Sequence, residues 1–150
     1  MATTRNRITF TLNELVSVLN GAADRLLRDN FAVTYSQFLF LVTLHGLGES
    51  TPSHLAERLG VSRAAVSQRL DWFEERKLIK VSKPKGNLKN LSLTLTMQGR
   101  SLATSSADFL EEQFRSLFRG LPNVNLSELD QTLKEITSQL LANQEKKNAA

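Results

Sequence analysis

The sequence predicts a mostly α-helical chain interrupted by one small β-hairpin, in the order four helices, two strands, two helices. Three observations predict it. Apolar residues recur at three- and four-residue steps through most of the chain. Two short β-prone runs, Leu78 to Val81 and Leu91 to Leu95, flank a turn rich in Pro, Gly and Asn. Between them and residue 51 lie two helices joined by a tight turn, with Ala56, Gly60 and Val66 at a telling spacing. They supply a small residue where two helices touch, a glycine able to turn at positive φ, and an apolar residue on the inner face of the second helix. That is the pattern of a helix-turn-helix, and the basic hairpin after it makes a winged one.

The elements follow in order. Ile8, Leu12, Leu15, Val16, Leu19, Ala22, Ala23, Leu26 and Leu27 define an amphipathic first helix. Thr34 and Gln37 have the spacing of a capping box, and Phe38, Leu41, Val42 and Leu44 give the second helix its apolar face. The glycines of HGLGES end it. Thr51 followed by Pro52 starts the third helix, where the missing proline N–H does no harm. Gly60 stops it, and Ser62 caps the fourth. Val66, Leu70 and Phe73 point inward from that helix, so Ala64, Ser67, Gln68 and Asp71 point out. After Thr96 comes a long fifth helix with Leu102, Ser106, Phe109, Leu110, Phe114, Leu117 and Phe118 on one face, broken by Gly120 and Pro122. Asn125 and Glu128 open the last helix, whose Leu126, Leu129, Leu133, Ile136 and Leu140 form an a/d seam over two heptads.

Length and composition narrow the function. At 150 residues, 41% hydrophobic and 23% charged, the chain suits one ordinary globular domain. Without cysteine it has no disulfide framework, thiol redox sensor or thiolate metal site. The N-terminal MATTRNRITF lacks the apolar core of a secretory signal, and the longest apolar run, Phe38 to Val42, is too short for a bilayer. A cytoplasmic protein with no membrane partner is the expectation. The net charge of +4 is unevenly spread: residues 51–100 hold ten basic and four acidic side chains, whereas residues 101–150 hold five and seven. Arg76, Lys77, Lys80, Lys83, Lys85 and Lys89 follow one another with no acid between them. Alone, such a run reads as a solvated turn. Directly after a recognition-type helix, phosphate contact is the better account.

The outward side of the fourth helix is small and polar in its N-terminal half, which suits close approach to base edges, where long Glu or Lys side chains would hold a groove off. One recognition helix touches few base pairs, so a symmetric dimer reading two half-sites about 34 Å apart fits the chemistry. Residues 6–30 and 97–142 carry more apolar surface than a small DNA reader needs and are the expected dimerisation helices, around a winged helix-turn-helix at 33–96.

At this point the chain resembles the MarR family of winged-helix transcriptional regulators, over roughly residues 8 to 142. Val33-Thr34-Tyr35-Ser36-Gln37-Phe38 is similar to the start of the family's second helix. Leu55-Ala56-Glu57-Arg58-Leu59-Gly60-Val61-Ser62 through Val66 is similar to its helix-turn-helix, and Leu95-Thr96 to the end of its wing. The family's wing usually shows Asp-x-Arg five residues before Leu-Thr; here Asn87 and Lys89 stand in those places. Lys89 keeps a point charge without arginine's planar fork. Lys77 stands where a glycine often ends the fourth helix.

The resemblance implies a homodimer that binds double-stranded DNA, as a repressor on a palindromic site, with release by a small aromatic or lipophilic effector. It assigns Ser62, Arg63, Ala64, Ser67 and Gln68 to the major groove. Gln68 suits adenine, and Arg63 suits guanine or a phosphate. Thr51, Ser53 and His54 would meet phosphates, as would Lys83, Lys85 and Lys89 of the wing. Phe31, Tyr35, Phe38 and His45 are the candidate effector pocket. No cofactor or metal is expected, since His45 and His54 lie on different elements without clustered acids. No nucleophile–base set or phosphate loop points to an enzyme. The alternative function is a winged helix that binds a protein partner or RNA without reading DNA sequence.

Overall fold

The computed structural model describes residues 7–83 and 91–148. Among the described residues, six helices and three short strands follow in the order α1 (Ile8–Phe31), α2 (Tyr35–Leu47), β1 (Glu49–Ser50), α3 (Pro52–Leu59), α4 (Arg63–Glu75), β2 (Ile79–Ser82), β3 (Ser92–Leu95), α5 (Met97–Phe118) and α6 (Leu126–Asn148). The chain divides into two compact units, one up to Leu110 and one from Glu111 onward. Among the described residues no helix is long and apolar enough to cross a membrane.

The helix boundaries follow from caps. Thr34 accepts a hydrogen bond from the Gln37 backbone N–H at 3.1 Å, and the Gln37 side chain accepts from the Thr34 N–H at 2.8 Å, a complete capping box. Thr51 caps α3 by accepting from the His54 N–H at 3.2 Å, with Pro52 in the first turn. Gly60 ends α3 at φ 66°, where its N–H reaches the carbonyls of Ala56 and Glu57. A Cβ there would be strained, so glycine permits a turn tight enough to place α4 against α3.

The sheet is one strand larger than the sequence pattern indicates. Its order is β1-β3-β2, with Glu49 opposite Thr94 and Ser50 opposite Leu93, while β2 pairs with β3 from Ile79–Leu95 to Ser82–Ser92. Two residues are too few to show any alternation. Their pairing is imposed by the chain reversal at Gly48, φ 74°, which brings them back alongside β3. The Ser92 hydroxyl donates to the Glu49 carboxylate and fixes that edge.

The core of the first unit lies between α2, α3, α4 and the sheet. Phe40, Leu41, Leu44, Leu55, Val66, Phe73 and Leu93 are almost fully buried, and removing each from water is worth roughly 1.5–3 kcal/mol. The Phe40 and Phe73 rings stack 4.1 Å apart, joining α2 to α4. A second cluster gathers Leu27, Val33 and Phe38, and Trp72, Val42 and Leu102 pack against both clusters. In the unit from Glu111 onward, α6 has no buried residue. Asn125 caps it by accepting from the N–H groups of Ser127 and Glu128, at 3.0 and 3.2 Å.

Candidate nucleic-acid interface

The α3–α4 pair presents a surface whose chemistry is fixed by which side of α4 the core consumes. Val66, Leu70 and Phe73 are 1%, 6% and 0% exposed. Given that inward stripe, helical geometry turns Ser62, Arg63, Ala64, Ser67, Gln68 and Asp71 to the other side, and all six are exposed. Ser62 caps the helix through its oxygen, accepting from the Ala65 N–H at 3.1 Å. Its O–H proton stays free to donate to a phosphate, and the positive end of the α4 dipole lies at the same spot. Ala64 adds no bulk between the Ser67 hydroxyl and the Gln68 amide, which holds both a donor and an acceptor. Asp71, one turn further along, is an anion that phosphates would repel. The surface suited to a nucleic acid is therefore the first two turns.

Thr51, Ser53 and His54 are exposed around the buried Pro52 at the start of α3. Thr51 repeats the arrangement of Ser62: its oxygen is engaged with the His54 N–H while its proton is free. Lys83 is exposed immediately beyond β2. Lys85, Asn87 and Lys89 lie outside the described residues.

The four residues of the candidate effector pocket are not gathered in one place. Phe38 is buried within the second cluster, and Phe31 and Tyr35 pack against it. The Tyr35 and Phe38 rings stack at 6.1 Å, and Phe31 meets Phe109 edge-on at 5.4 Å. His45 is exposed in the last turn of α2. Phe31 also borders a shallow open groove with Leu78, Met97, Gln98, Ser101 and Leu102, none of which the sequence suggested.

Several residues that position this surface escaped the sequence reading, most of them because one partner is far away in the chain. Arg69 reaches back from α4 and donates to the Ser36 hydroxyl at 2.6 Å. Arg76 stacks over the Trp72 ring at 4.0 Å, on the same flank of α4. Asp24 of α1 accepts the Tyr35 N–H at 2.8 Å and pairs with Arg28 at 2.6 Å. The Tyr35 N–H first, and then Arg28, hold its carboxyl below the usual carboxylate range. At the root of the wing, Thr96 donates to the Lys77 carbonyl at 2.6 Å and accepts from the Gly99 N–H at 3.0 Å. Gly99 lets α5 approach so closely that a Cβ would fall 2.0 Å from the Leu78 carbonyl oxygen.

Lys77 itself has φ 56°, the left-handed conformation that the missing glycine would have taken. Its N–H reaches the Glu74 carbonyl at 2.8 Å, and the Leu78 N–H reaches Phe73 at 2.9 Å. This is the paired bonding of a Schellman motif, completed without glycine.

Comparison with known proteins gives the arrangement a place. Residues 33–87 match the sequence model of the MarR family. The chain is 35% identical over 88 residues to YvnA of Bacillus subtilis (strain 168), an HTH-type transcriptional regulator. That match covers 57% of this chain and 56% of the relative, so it spans little more than half of either. In fold it is similar to NadR in complex with 4-hydroxyphenylacetate, with a TM-score of 0.72, 19% identity, and 93% and 96% of the two chains covered. It is likewise similar to a MarR variant from E. coli complexed with operator DNA, with a TM-score of 0.65, 21% identity, and 84% and 93% covered. Residues 33–87, which hold the helix-turn-helix, thus match the MarR family model, and the chain shares the winged-helix fold of those solved structures.

Proposed function

We propose that the chain is a transcriptional repressor that binds double-stranded DNA sequence-specifically, acting in the cytoplasm as a homodimer on a palindromic site and released by a small aromatic or lipophilic effector. The observation that carries this reading is the first two turns of α4. They offer hydroxyl, amide and guanidinium groups and one alanine, all exposed, on a helix whose opposite side is locked into the core. In this reading Gln68 and Arg63 meet base edges. Ser62, Ser67, Thr51, Ser53 and His54 hold phosphates or the groove walls, and Lys83, Lys85 and Lys89 neutralise the flanking backbone. Ala64 keeps the approach short.

Two further observations support the quaternary and regulatory parts. On α6, Leu133, Ile136 and Leu140 are 41%, 44% and 59% exposed in a single chain. An apolar seam of that kind calls for a partner helix, and a second copy supplies one. Beside the buried Phe38, the half-buried rings of Phe31, Tyr35 and Phe109 leave aromatic surface for a small aromatic ligand. The ligand named for NadR, an aromatic acid, is of that class.

Gel-shift titration with genomic fragments tests the reading. Tight binding to one inverted repeat that weakens steeply with salt is the expected result. Indifference to sequence at every salt concentration would replace it with a winged helix serving a protein partner or RNA.

A further inference from the structure

We propose that Arg69 is a positioning residue for DNA reading: through Ser36 it sets the rotation of α4 about its own axis, and so decides which exposed side chains face the bases. The inference rests on the DNA-binding reading above and adds a device to it.

The α4 helix is attached along one flank, at residues three or four apart. Trp72 packs against both apolar clusters, and Arg76 lies over its indole. Those contacts secure the C-terminal half. The N-terminal half, which carries the reading side chains, has Val66 and Leu70 in the core, and at its surface Arg69, whose guanidinium donates to the exposed Ser36 Oγ at 2.6 Å. Apolar packing resists separation but is tolerant of rotation by a few degrees. A charge-assisted hydrogen bond is directional and is not.

Ser36 is a firm anchor for that bond. It lies in the first turn of α2, between Tyr35, whose N–H is held by Asp24, and Gln37, which closes the capping box with Thr34. Neighbouring Gln68 sits one residue from Arg69, so a rotation at Arg69 moves the Gln68 amide sideways along the groove. Bidentate readout does not survive a displacement of about an ångström.

A simple phosphate contact by Arg69 is the competing role, and the two separate cleanly. Ser36→Ala removes the anchor and leaves every positive charge in place. The expected result is a loss of about tenfold in the preference for the specific site over a scrambled one. The salt slope and the affinity for the scrambled site stay the same, and Ser36→Thr restores the preference. If Ser36→Ala keeps full preference while Arg69→Met weakens both sites and flattens the salt slope by about one phosphate, Arg69 is a phosphate contact and the proposal is overturned.

Amide hydrogen exchange on the DNA-free protein provides an independent readout. Faster exchange over residues 65–70 in Ser36→Ala, reversed in Ser36→Thr, is expected; wild-type exchange there overturns the positioning role of the Arg69–Ser36 bond. Wild-type protein that prefers no sequence would instead remove the DNA-binding reading, leaving the exchange result to judge the Arg69–Ser36 bond alone.

Discussion

Single residues decide how closely the elements of this chain approach. Gly99 is the sharpest case, because a Cβ there would fall 2.0 Å from the Leu78 carbonyl oxygen. Backbone cannot yield as the end of a side chain can. Gly99→Ala is therefore expected to lower stability by about 1–3 kcal/mol, the usual cost of overpacking, in chemical denaturation. Lys77 points the other way. It holds a left-handed φ of 56° that costs a residue with a Cβ about 1 kcal/mol. Lys77→Gly should recover roughly 0.5–1 kcal/mol as a higher midpoint of unfolding, with part of the gain offset by the freer unfolded chain. The sequence makes Lys77 conspicuous, since glycine commonly closes such a helix. It gives no hint of Gly99, whose clash partner is 21 residues earlier and whose own neighbourhood is ordinary helix. Arg69 escapes notice for the same reason: a solvent-facing contact is the default for an arginine on a recognition-type helix, and Ser36 is 33 residues away.

Among the elements, those with local determinants are legible in the sequence and those with remote ones are not. Caps at Thr34, Thr51 and Ser62, and the period of Val66, Leu70 and Phe73, fix α2, α3 and α4 within a residue or so. The two-residue β1 carries no period and exists only because β3 is there to pair with it. The joint between α1 and α2 is similarly invisible, as it depends on Asp24 accepting the Tyr35 N–H. That joint has a pH signature. The folded state favours the Asp24 carboxylate, so its pKa is lowered in the fold and its contribution is present above the ordinary carboxylate value. The contribution is lost as pH falls through the lowered folded value. Asp24→Asn should thus melt below the wild type near pH 7, and the gap should close as the medium is acidified below about pH 4. A gap of constant size across that range would mean that the Asp24 charge does not hold the joint.

At the scale of the whole molecule, the question is what covers the apolar surface that a single chain leaves open. Leu15, Val16 and Val18 on α1 and Leu133, Ile136 and Leu140 on α6 are all at least 41% exposed, which a lone soluble helix rarely tolerates. The proposed dimerisation would account for both and supply the two-fold symmetry that a palindromic site requires. Ile136→Glu places a charge in the α6 seam. The expected outcome is a monomer by analytical ultracentrifugation, with affinity for the inverted repeat reduced by at least tenfold. A dimer of unchanged stability would assign the seam another role.

The central claim is that the exposed N-terminal half of α4 reads bases. Selection of bound sequences from a randomised duplex pool, with wild type and Gln68→Ala side by side, tests it most directly. The account predicts a two-fold symmetric site in which Gln68→Ala relaxes one position per half-site, at a cost of about 1–3 kcal/mol, and leaves the others alone. Identical base preferences in the two proteins would contradict it.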